Sequence, residues 1–250
     1  MIKVIIRKVS AFFEIFFIPL ILLASLIMYL YRRIGSKYLK ISTLILKTIG
    51  IFPIRDHYYE PLFNHRHLKK DLRIPRELPG IDFNEQGQLD IIKKLNYQHE
   101  FIDFVNNSSQ QTDEKSFDIY NKSFASGDAE FLFNFIRYIK PNKVIEIGCG
   151  TSTKIIQNAL TINAKDNNSM YTHICIEPYE QSWLESFPNI NLVREKVENL
   201  DMTIFQSLED GDLLFIDSTH MIRPQGDVLH EYLSIIPSLQ EGVYVHVHDI

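Results

Sequence analysis

The chain has 250 residues, enough for one substantial domain with appendages. Its formal net charge of −5 argues against a nucleic-acid-binding surface, and 45% hydrophobic residues are ordinary for a globular protein. Cys149 and Cys175 are the only cysteines, which excludes a disulfide framework or a cysteine-rich zinc site and fits a reducing, cytosolic compartment.

The N-terminal region contains a long apolar run, AFFEIFFIPLILLASLIMYLY (11–31), in which Glu14 is the one charged residue. A helix of this length spans about 31 Å, close to the hydrocarbon thickness of a bilayer. We therefore predict a membrane-anchoring helix with basic flanks over residues 1–40. A cleaved signal peptide and a buried core helix are the alternatives, but the run is long for the first and very apolar for the second.

The orientation of this helix follows from its flanks. The C-terminal flank is slightly richer in Lys and Arg, so residues 32–250 are expected in the cytoplasm. Pro19 leaves open a kinked or re-entrant helix that enters and leaves the membrane on one side. Residues 32–250 are cytoplasmic in either arrangement.

Residues 41–115 are predicted to form a connector and a helical cap. Residues 41–53 are apolar and interrupted by Lys47, which indicates an interfacial segment or packing onto the following domain. Residues 54–82 are rich in charge, His, Tyr and Pro and favour an irregular connector. The apolar spacing of residues 86–105 is typical of a helix.

Residues 116–250 alternate helices and strands. A helix capped by Ser126 or Asp128 ends before Pro141, and further helices are predicted over residues 152–163 and 224–239. Five short, nearly all-apolar runs are predicted as strands: 143–148, 171–177, 190–195, 212–217 and 242–248. This alternation predicts an α/β domain with a parallel sheet covered on both faces, in three α/β/α layers.

The turn after the first strand carries the most specific pattern, EIGCGTST (146–153). Gly148 and Gly150 permit a tight turn and close approach of a ligand, and the following helix presents free N–H groups. Glu177, at the end of the second strand, can accept both hydroxyls of a ribose. Thr153 stands where a dinucleotide fingerprint requires glycine, and there is no Walker lysine motif, so a cofactor without a pyrophosphate is favoured.

Four segments in this order, VIEIGCGTST, ICIEP, LLFIDSTH and GVYVHVHDI, resemble the class I S-adenosylmethionine-dependent methyltransferases. The likeness is to a bacterial branch with F-I-D-S-x-H and H-D-I motifs, found with polysaccharide and secondary-metabolite biosynthesis. HYYEPLFN (57–64), LPGIDFN (78–84) and SFASGDAEFLF (123–133) also resemble it, so the likeness covers roughly residues 50–250.

The resemblance implies a Rossmann-like sheet, S-adenosylmethionine as cofactor, and methyl transfer to a hydroxyl. The acceptor would be a saccharide, a lipid-linked saccharide or another small molecule at the cytoplasmic face of a bacterial inner membrane. No nucleic-acid partner is expected, and the oligomeric state is left open.

Individual positions take roles from the same resemblance. Glu146, Gly148 and Gly150 would line the methionine end of the cofactor, and Glu177 would hold the ribose. Pro178, Val197 and Glu198 would border the adenine, and Asp217 would lie near the reacting methyl group.

A second group of polar residues follows strands four and five, which we expect to be neighbours. Asp217 and Asp249 stand at their carboxyl ends and could together hold Mg²⁺. His220 could instead act as a general base toward a hydroxyl acceptor. The alternative is structural, with both carboxylates bonded to loop backbone and His220 merely packed; His246 and His248 are predicted as core or supporting residues.

The chain stops at Ile250, directly after the fifth strand, whereas related domains continue with a helix and two more strands. We therefore expect a truncated domain whose fifth strand is an apolar unpaired edge. Two functional alternatives remain open. One is a module that binds the cofactor without catalysis, and the other is a hydroxylase-like relative on the same scaffold.

Overall fold

The computed structural model describes residues 2–56, 65–75, 77–110 and 113–249. The segment HYYEPLFN (57–64) therefore lies outside the described residues. Contacts divide the chain into two units, residues 1–81 and residues 82–250, and each is described by itself.

The described residues of the first unit form two helices, α1 (Ile2–Ile34) and α2 (Lys40–Ile49), with a short 3₁₀ turn at His65–His67. Helix α1 continues through Pro19 without interruption. Its stretch Glu14–Ile34 has the length and apolar composition to cross a membrane, and almost none of it is buried within the chain. The predicted N-terminal apolar helix is thus present.

The second unit begins with α3 (Glu85–Lys94) and α4 (Gln98–Ser109), which together cover the region predicted as helical over 86–105. The helical pattern is broken between them. At the break, the backbone N–H of Tyr97 donates to Asn134 Oδ1 at 2.8 Å, so the chain is redirected by a contact made 37 residues away.

A parallel five-stranded sheet forms the centre of this unit, in the order β3-β2-β1-β4-β5. The strands are β1 (Lys143–Ile147), β2 (Thr172–Ile176), β3 (Asn191–Val193), β4 (Leu213–Ile216) and β5 (Tyr244–Val247). The connecting helices are α5 (Ser126–Ile139), α6 (Thr151–Asn167), α7 (Thr203–Gln206), α8 (Asp227–His230) and α9 (Ile236–Ser238), with short 3₁₀ turns at Ser182–Ser186 and Val197–Asn199. The predicted Rossmann-like α/β fold is confirmed.

Alternate residues of the strands supply two separate cores, because successive strand side chains point to opposite faces. Val144 packs into an aromatic cluster with Phe133 beneath α5 and α6. Ile145 packs into an aliphatic cluster with Phe205 on the other face. Burial on both faces explains why these strands read as continuous apolar runs.

One helix differs from the sequence prediction, and the fifth strand is the edge strand that the sequence predicts. Helix 224–239 begins at Asp227, and its middle turn, Glu231–Ile235, is π-helical. Strand β5 lies at the edge of the described sheet, and its Tyr244 and Val245 are exposed. Its apolar sequence therefore does not correspond to burial on both faces.

The aromatic cluster gives a stability prediction. Phe133 is fully buried, whereas Phe131 on the same helix is 39% exposed. We expect Phe133→Ala to lower the free energy of unfolding by about 3–5 kcal/mol, because it removes a core ring and leaves a cavity. Phe131→Ala is the matched control, because it makes the same change in helix propensity, and it should lower the free energy of unfolding by less than about 2 kcal/mol. Urea unfolding of the detergent-solubilised chain compares them, and equal losses would contradict this view of the core.

Candidate cofactor-binding site

A cavity of about 620 Å³ opens at the carboxyl ends of β1, β2 and β4. Its volume lies in the range of small-molecule sites, about 300–1,000 Å³. It stands where the strand order reverses between β1 and β4, the position at which open α/β sheets bind ligands. Most of the predicted cofactor residues line it: Gly148, Gly150, Glu177, Pro178, Val197, Glu198 and Asp217.

Gly148 is required by the backbone at this point. Its φ is 79°, and a Cβ built there would lie 1.9 Å from the carbonyl oxygen of Asp217. Its N–H donates to the carbonyl of Ile176 at 3.0 Å. The turn after β1 is thus pressed between the ends of β2 and β4, and no side chain can be accommodated.

Gly150, unlike Gly148, is not required by a steric contact. Its φ of −175° is extended, and a Cβ at this position would meet nothing within 4 Å. Its N–H donates to Thr153 Oγ1 at 3.0 Å, and the N–H of Thr153 donates back to the Gly150 carbonyl at 3.2 Å. The threonine that replaces the third glycine of a dinucleotide fingerprint therefore closes the first turn of α6 with its own hydroxyl.

The two carboxylate oxygens of Glu177 have different surroundings. Its Oε1 accepts from the N–H groups of Tyr179 and Glu180, each at 2.9 Å. Within the described part of the chain no hydrogen bond engages Oε2. The carboxylate lies in the cavity wall and is only 9% exposed, so Oε2 is available to ligand hydroxyls.

A single guanidinium holds the loop after Glu177. Arg194 donates to the carbonyls of Glu177 at 3.0 Å, Glu180 at 2.7 Å and Gln181 at 3.1 Å. Its Nε also pairs with the carboxylate of Glu185 at 2.8 Å. The loop that forms this wall is therefore fixed from behind by a side chain that does not line the cavity.

Glu146 does not line the cavity. It is fully buried, and its Oε1 accepts from Ser152 Oγ at 2.6 Å while Oε2 faces His173 Nε2 at 3.0 Å. Ser152 does line the cavity. A role for Glu146 at the methionine end of the cofactor stays a prediction, and on this geometry it would act through Ser152.

Glu146, His173 and Cys175 form the one group of three donors, among the described residues, that is compact enough for a metal ion. The polar atoms of this group are already engaged in hydrogen bonds within the protein. Gln157 Nε2 donates to the carbonyl of Asn189 at 2.9 Å, which fixes the amide so that it also donates to His173 Nδ1. Nδ1 therefore accepts, the ring proton lies on Nε2, and it points at the Glu146 carboxylate instead of leaving a lone pair for a metal.

Asp217, which follows β4, stands between two histidines. Its Oδ1 lies 3.2 Å from His220 Nε2 and 3.2 Å from His248 Nδ1. His248 is buried against the ring of Phe124, with centroids 4.7 Å apart. Asp249 Oδ1 lies 3.8 Å from His248 Nε2, and the predicted Mg²⁺ pair of Asp217 and Asp249 gains no support.

Sequence reasoning missed Glu231. Its side chain is fully buried, Oε2 accepts from Ser218 Oγ at 2.9 Å, and Oε1 has no partner in the described residues. Burial raises the pKa of Glu231 to about 7, with further contributions from Asp227 and Glu198. The π-helical turn determines where this carboxyl lies, and no helical periodicity in the sequence reveals such a turn.

The cavity wall is predominantly acidic. Among the described residues that line it are five carboxylates, one lysine and one arginine: Glu177, Glu180, Glu198, Asp217 and Asp227, with Lys196 and Arg223. Such a wall disfavours phosphate groups and attracts a cation, because charges interact more strongly in a partly enclosed site than in water.

Sheet order, cavity position and glycine turn together define a Rossmann-like ligand-binding domain. A family model described as a methyltransferase domain matches residues 145–250. An uncharacterized protein of Archaeoglobus fulgidus is 30% identical over 194 residues, which cover 69% of this chain and 84% of the relative. The chain thus belongs to one family with the Archaeoglobus fulgidus protein, and its residues 145–250 match the methyltransferase-domain model.

One solved structure was also found to be similar. It is a Plasmodium falciparum protein assigned provisionally as a protein-L-isoaspartate O-methyltransferase, crystallised with S-adenosyl-L-homocysteine. The match has 11% identity, covers 62% of this chain and 82% of that chain, and has a TM-score of 0.35. Likeness at this level carries no argument about residues of the present site.

The two glycines of the turn should respond differently to alanine. Gly148→Ala puts a Cβ against the Asp217 carbonyl at a positive φ, so we expect a loss of more than about 2 kcal/mol in unfolding free energy. Gly150→Ala, in open space with extended φ, should stay within about 1 kcal/mol of the parent. Urea unfolding of the ligand-free chain measures both, and a tolerated Gly148→Ala would contradict the geometry.

Glu231 should make stability depend on pH. Its folded pKa of about 7 lies above its ordinary value of 4.5, so its stabilising contribution is complete below about pH 4.5 and is lost as the pH rises through 7. We expect Glu231→Gln to gain stability relative to the parent between pH 5 and pH 8, by up to about 2–3 kcal/mol. Glu241→Gln, at an exposed position, is the control. If the difference in unfolding free energy between Glu231→Gln and the parent were the same at pH 5 and pH 8, the raised pKa of Glu231 would be contradicted.

Proposed function

We propose that the chain is an S-adenosylmethionine-dependent methyltransferase that acts on a hydroxyl group. The observation that carries this proposal is the position of Glu177. Glu177 lines the cavity together with the glycine turn, and its Oε2 makes no hydrogen bond within the described residues. The surrounding residues 145–250 match a methyltransferase-domain model. A carboxylate with one oxygen held by the loop and one oxygen available is suited to a pair of ribose hydroxyls.

The charge of the wall supports this cofactor over other nucleotides. S-adenosylmethionine carries a sulfonium and an ammonium against one carboxylate, so it has a net positive charge. Five lining carboxylates attract it, whereas they repel the phosphates of a dinucleotide or a nucleoside triphosphate. Transfer of the methyl group removes the sulfonium charge, so the same wall holds the product less strongly than the cofactor.

The pair formed by His220 and Asp217 supports a hydroxyl acceptor. His220 Nε2 donates to Asp217 Oδ1 at 3.2 Å, which leaves Nδ1 as the basic nitrogen. In the proposed step the acceptor oxygen attacks the methyl carbon in line, the carbon–sulfur bond breaks with its electron pair moving to sulfur, and the hydroxyl proton passes to His220. The protein supplies alignment of the two reactants and a base.

The cellular setting is part of the same proposal. Helix α1 would anchor the chain in a bacterial inner membrane, with residues 32–250 in the cytoplasm. The acceptor would be a saccharide or a lipid-linked saccharide presented at that face. Continuity of α1 through Pro19 favours a helix that crosses the membrane over one that turns back at the proline.

Cofactor binding tests the proposal directly. Isothermal titration of the detergent-solubilised chain with S-adenosylmethionine should give one site. Glu177→Ala should weaken binding by at least about 100-fold, because two hydrogen bonds to a charged group are lost. Glu177→Gln removes the charge but keeps an oxygen that can accept from the loop N–H groups, so it separates the effect of the charge from that of the loop conformation. Glu209→Ala, on the surface, is the control and should bind normally.

Several outcomes of this titration are informative. Unchanged affinity in both Glu177 variants would overturn the assignment of the ribose site. Binding with no methyl transfer to any saccharide acceptor would favour the module that binds without catalysis. Titrations with and without Mg²⁺ decide whether the ion contributes.

A further inference from the structure

Helix α2 presents an exposed apolar face that its own unit leaves uncovered. Four large side chains at helical spacing form this face, and they are between 53% and 78% exposed: Ile41, Leu44, Ile45 and Ile49. The opposite side carries Lys40, Thr43 and Lys47. A single amphipathic helix of this kind requires an apolar partner on one side and water on the other.

The charges around this face are of one sign. Between residues 15 and 55 the chain contains six cations and no acidic residue: Arg32, Arg33, Lys37, Lys40, Lys47 and Arg55. The partner of the face therefore needs to combine an apolar interior with negative charge at its rim. A second copy of the same segment would bring like charges together, which disfavours it as the partner.

Helix α2 is attached firmly to the end of α1. The hydroxyl of Tyr31, which is 8% exposed, lies 2.7 Å from Thr43 Oγ1. That threonine lies close to two carbonyls of the connecting turn, Leu39 at 2.8 Å and Ser36 at 2.9 Å. The start of α2 is thus held beside the C-terminal end of α1. A bilayer that α1 crosses would therefore have both at the same depth.

We propose that α2 lies in the headgroup region of an anionic phospholipid leaflet, at the C-terminal end of α1, with its apolar face toward the acyl chains. The inference rests on the proposed membrane insertion of α1. It adds a second, lipid-selective contact, because interfacial helices bury their apolar face and bind anionic lipids through Lys and Arg. Lys40 and Lys47 would lie on the water side, within reach of lipid phosphates.

The first arm of the test maps the helix in a bilayer. The full chain is placed in lipid nanodiscs with single cysteines at Ile41, Ile45, Ile49, Lys40 or Lys47, each carrying a nitroxide; the native cysteines are buried. Labels at the three isoleucine positions should be relaxed by oxygen and protected from an aqueous nickel chelate, and labels at the two lysine positions should show the reverse. Uniform access of the chelate to all five sites would overturn the proposal.

The second arm tests lipid selectivity. With the label at residue 45, the ratio of membrane-embedded to water-exposed nitroxide should rise when phosphatidylglycerol is added to phosphatidylcholine discs. Lys40→Gln and Lys47→Gln should each lower that ratio about fivefold in the anionic discs. A matched double variant of exposed lysines in the second unit, Lys94→Gln with Lys165→Gln, should leave it unchanged.

The outcomes separate this inference from the proposed insertion of α1. Retention of the chain by washed vesicles reports α1, whereas the label at residue 45 reports α2. Retention combined with a water-exposed label, or with no dependence on phosphatidylglycerol, would overturn the inference and leave α1 inserted. A label protected from both oxygen and the chelate would show that protein covers the face, which also overturns it.

Discussion

The site depends on a close approach of backbone to backbone at Gly148. The carbonyl of Asp217 occupies the space that a Cβ of residue 148 would fill, and the N–H of Asp217 donates to the carbonyl of Ile147 at 2.8 Å. The end of β4 is therefore held against the turn after β1. This contact sets the distance between the glycine turn and the Asp217 carboxylate, and the cavity lies over it.

Electrostatics gives this scaffold its chemical preference. The lining carboxylates repel one another in the absence of a ligand, and Glu231 adds a buried carboxyl whose pKa is raised to about 7 by burial. A cationic ligand would relieve part of this repulsion, and its binding would therefore stabilise the domain. In the function that we propose, preference for a sulfonium compound would follow from the whole wall, whereas recognition of the ribose would rest on Glu177.

The sheet, the glycine turn and the position of Glu177 at the end of the second strand could be predicted from the sequence, because each depends on a local pattern. Nearly continuous apolar runs, separated by helices, specify buried parallel strands, and a carboxylate after such a strand lies at the carboxyl end of the sheet. Glu231 and the direction of Glu146 could not be predicted. The first depends on a π-helical turn, and the second on Ser152 and His173, which approach from other elements. Ser123 and Phe124 enter the cavity wall from before α5, through tertiary packing.

The guanidinium of Arg194 has a consequence for how such a domain can vary. It binds three carbonyls of the loop that begins at Glu177, a task that the single ammonium of a lysine performs poorly because it lacks the planar, forked donors. If the cavity binds an adenosyl group as we propose, its affinity can be tuned from outside the pocket, by changes in how rigidly Arg194 holds the loop. Substitutions behind the loop would then change the residence time of the ligand while every atom in contact with it stays the same.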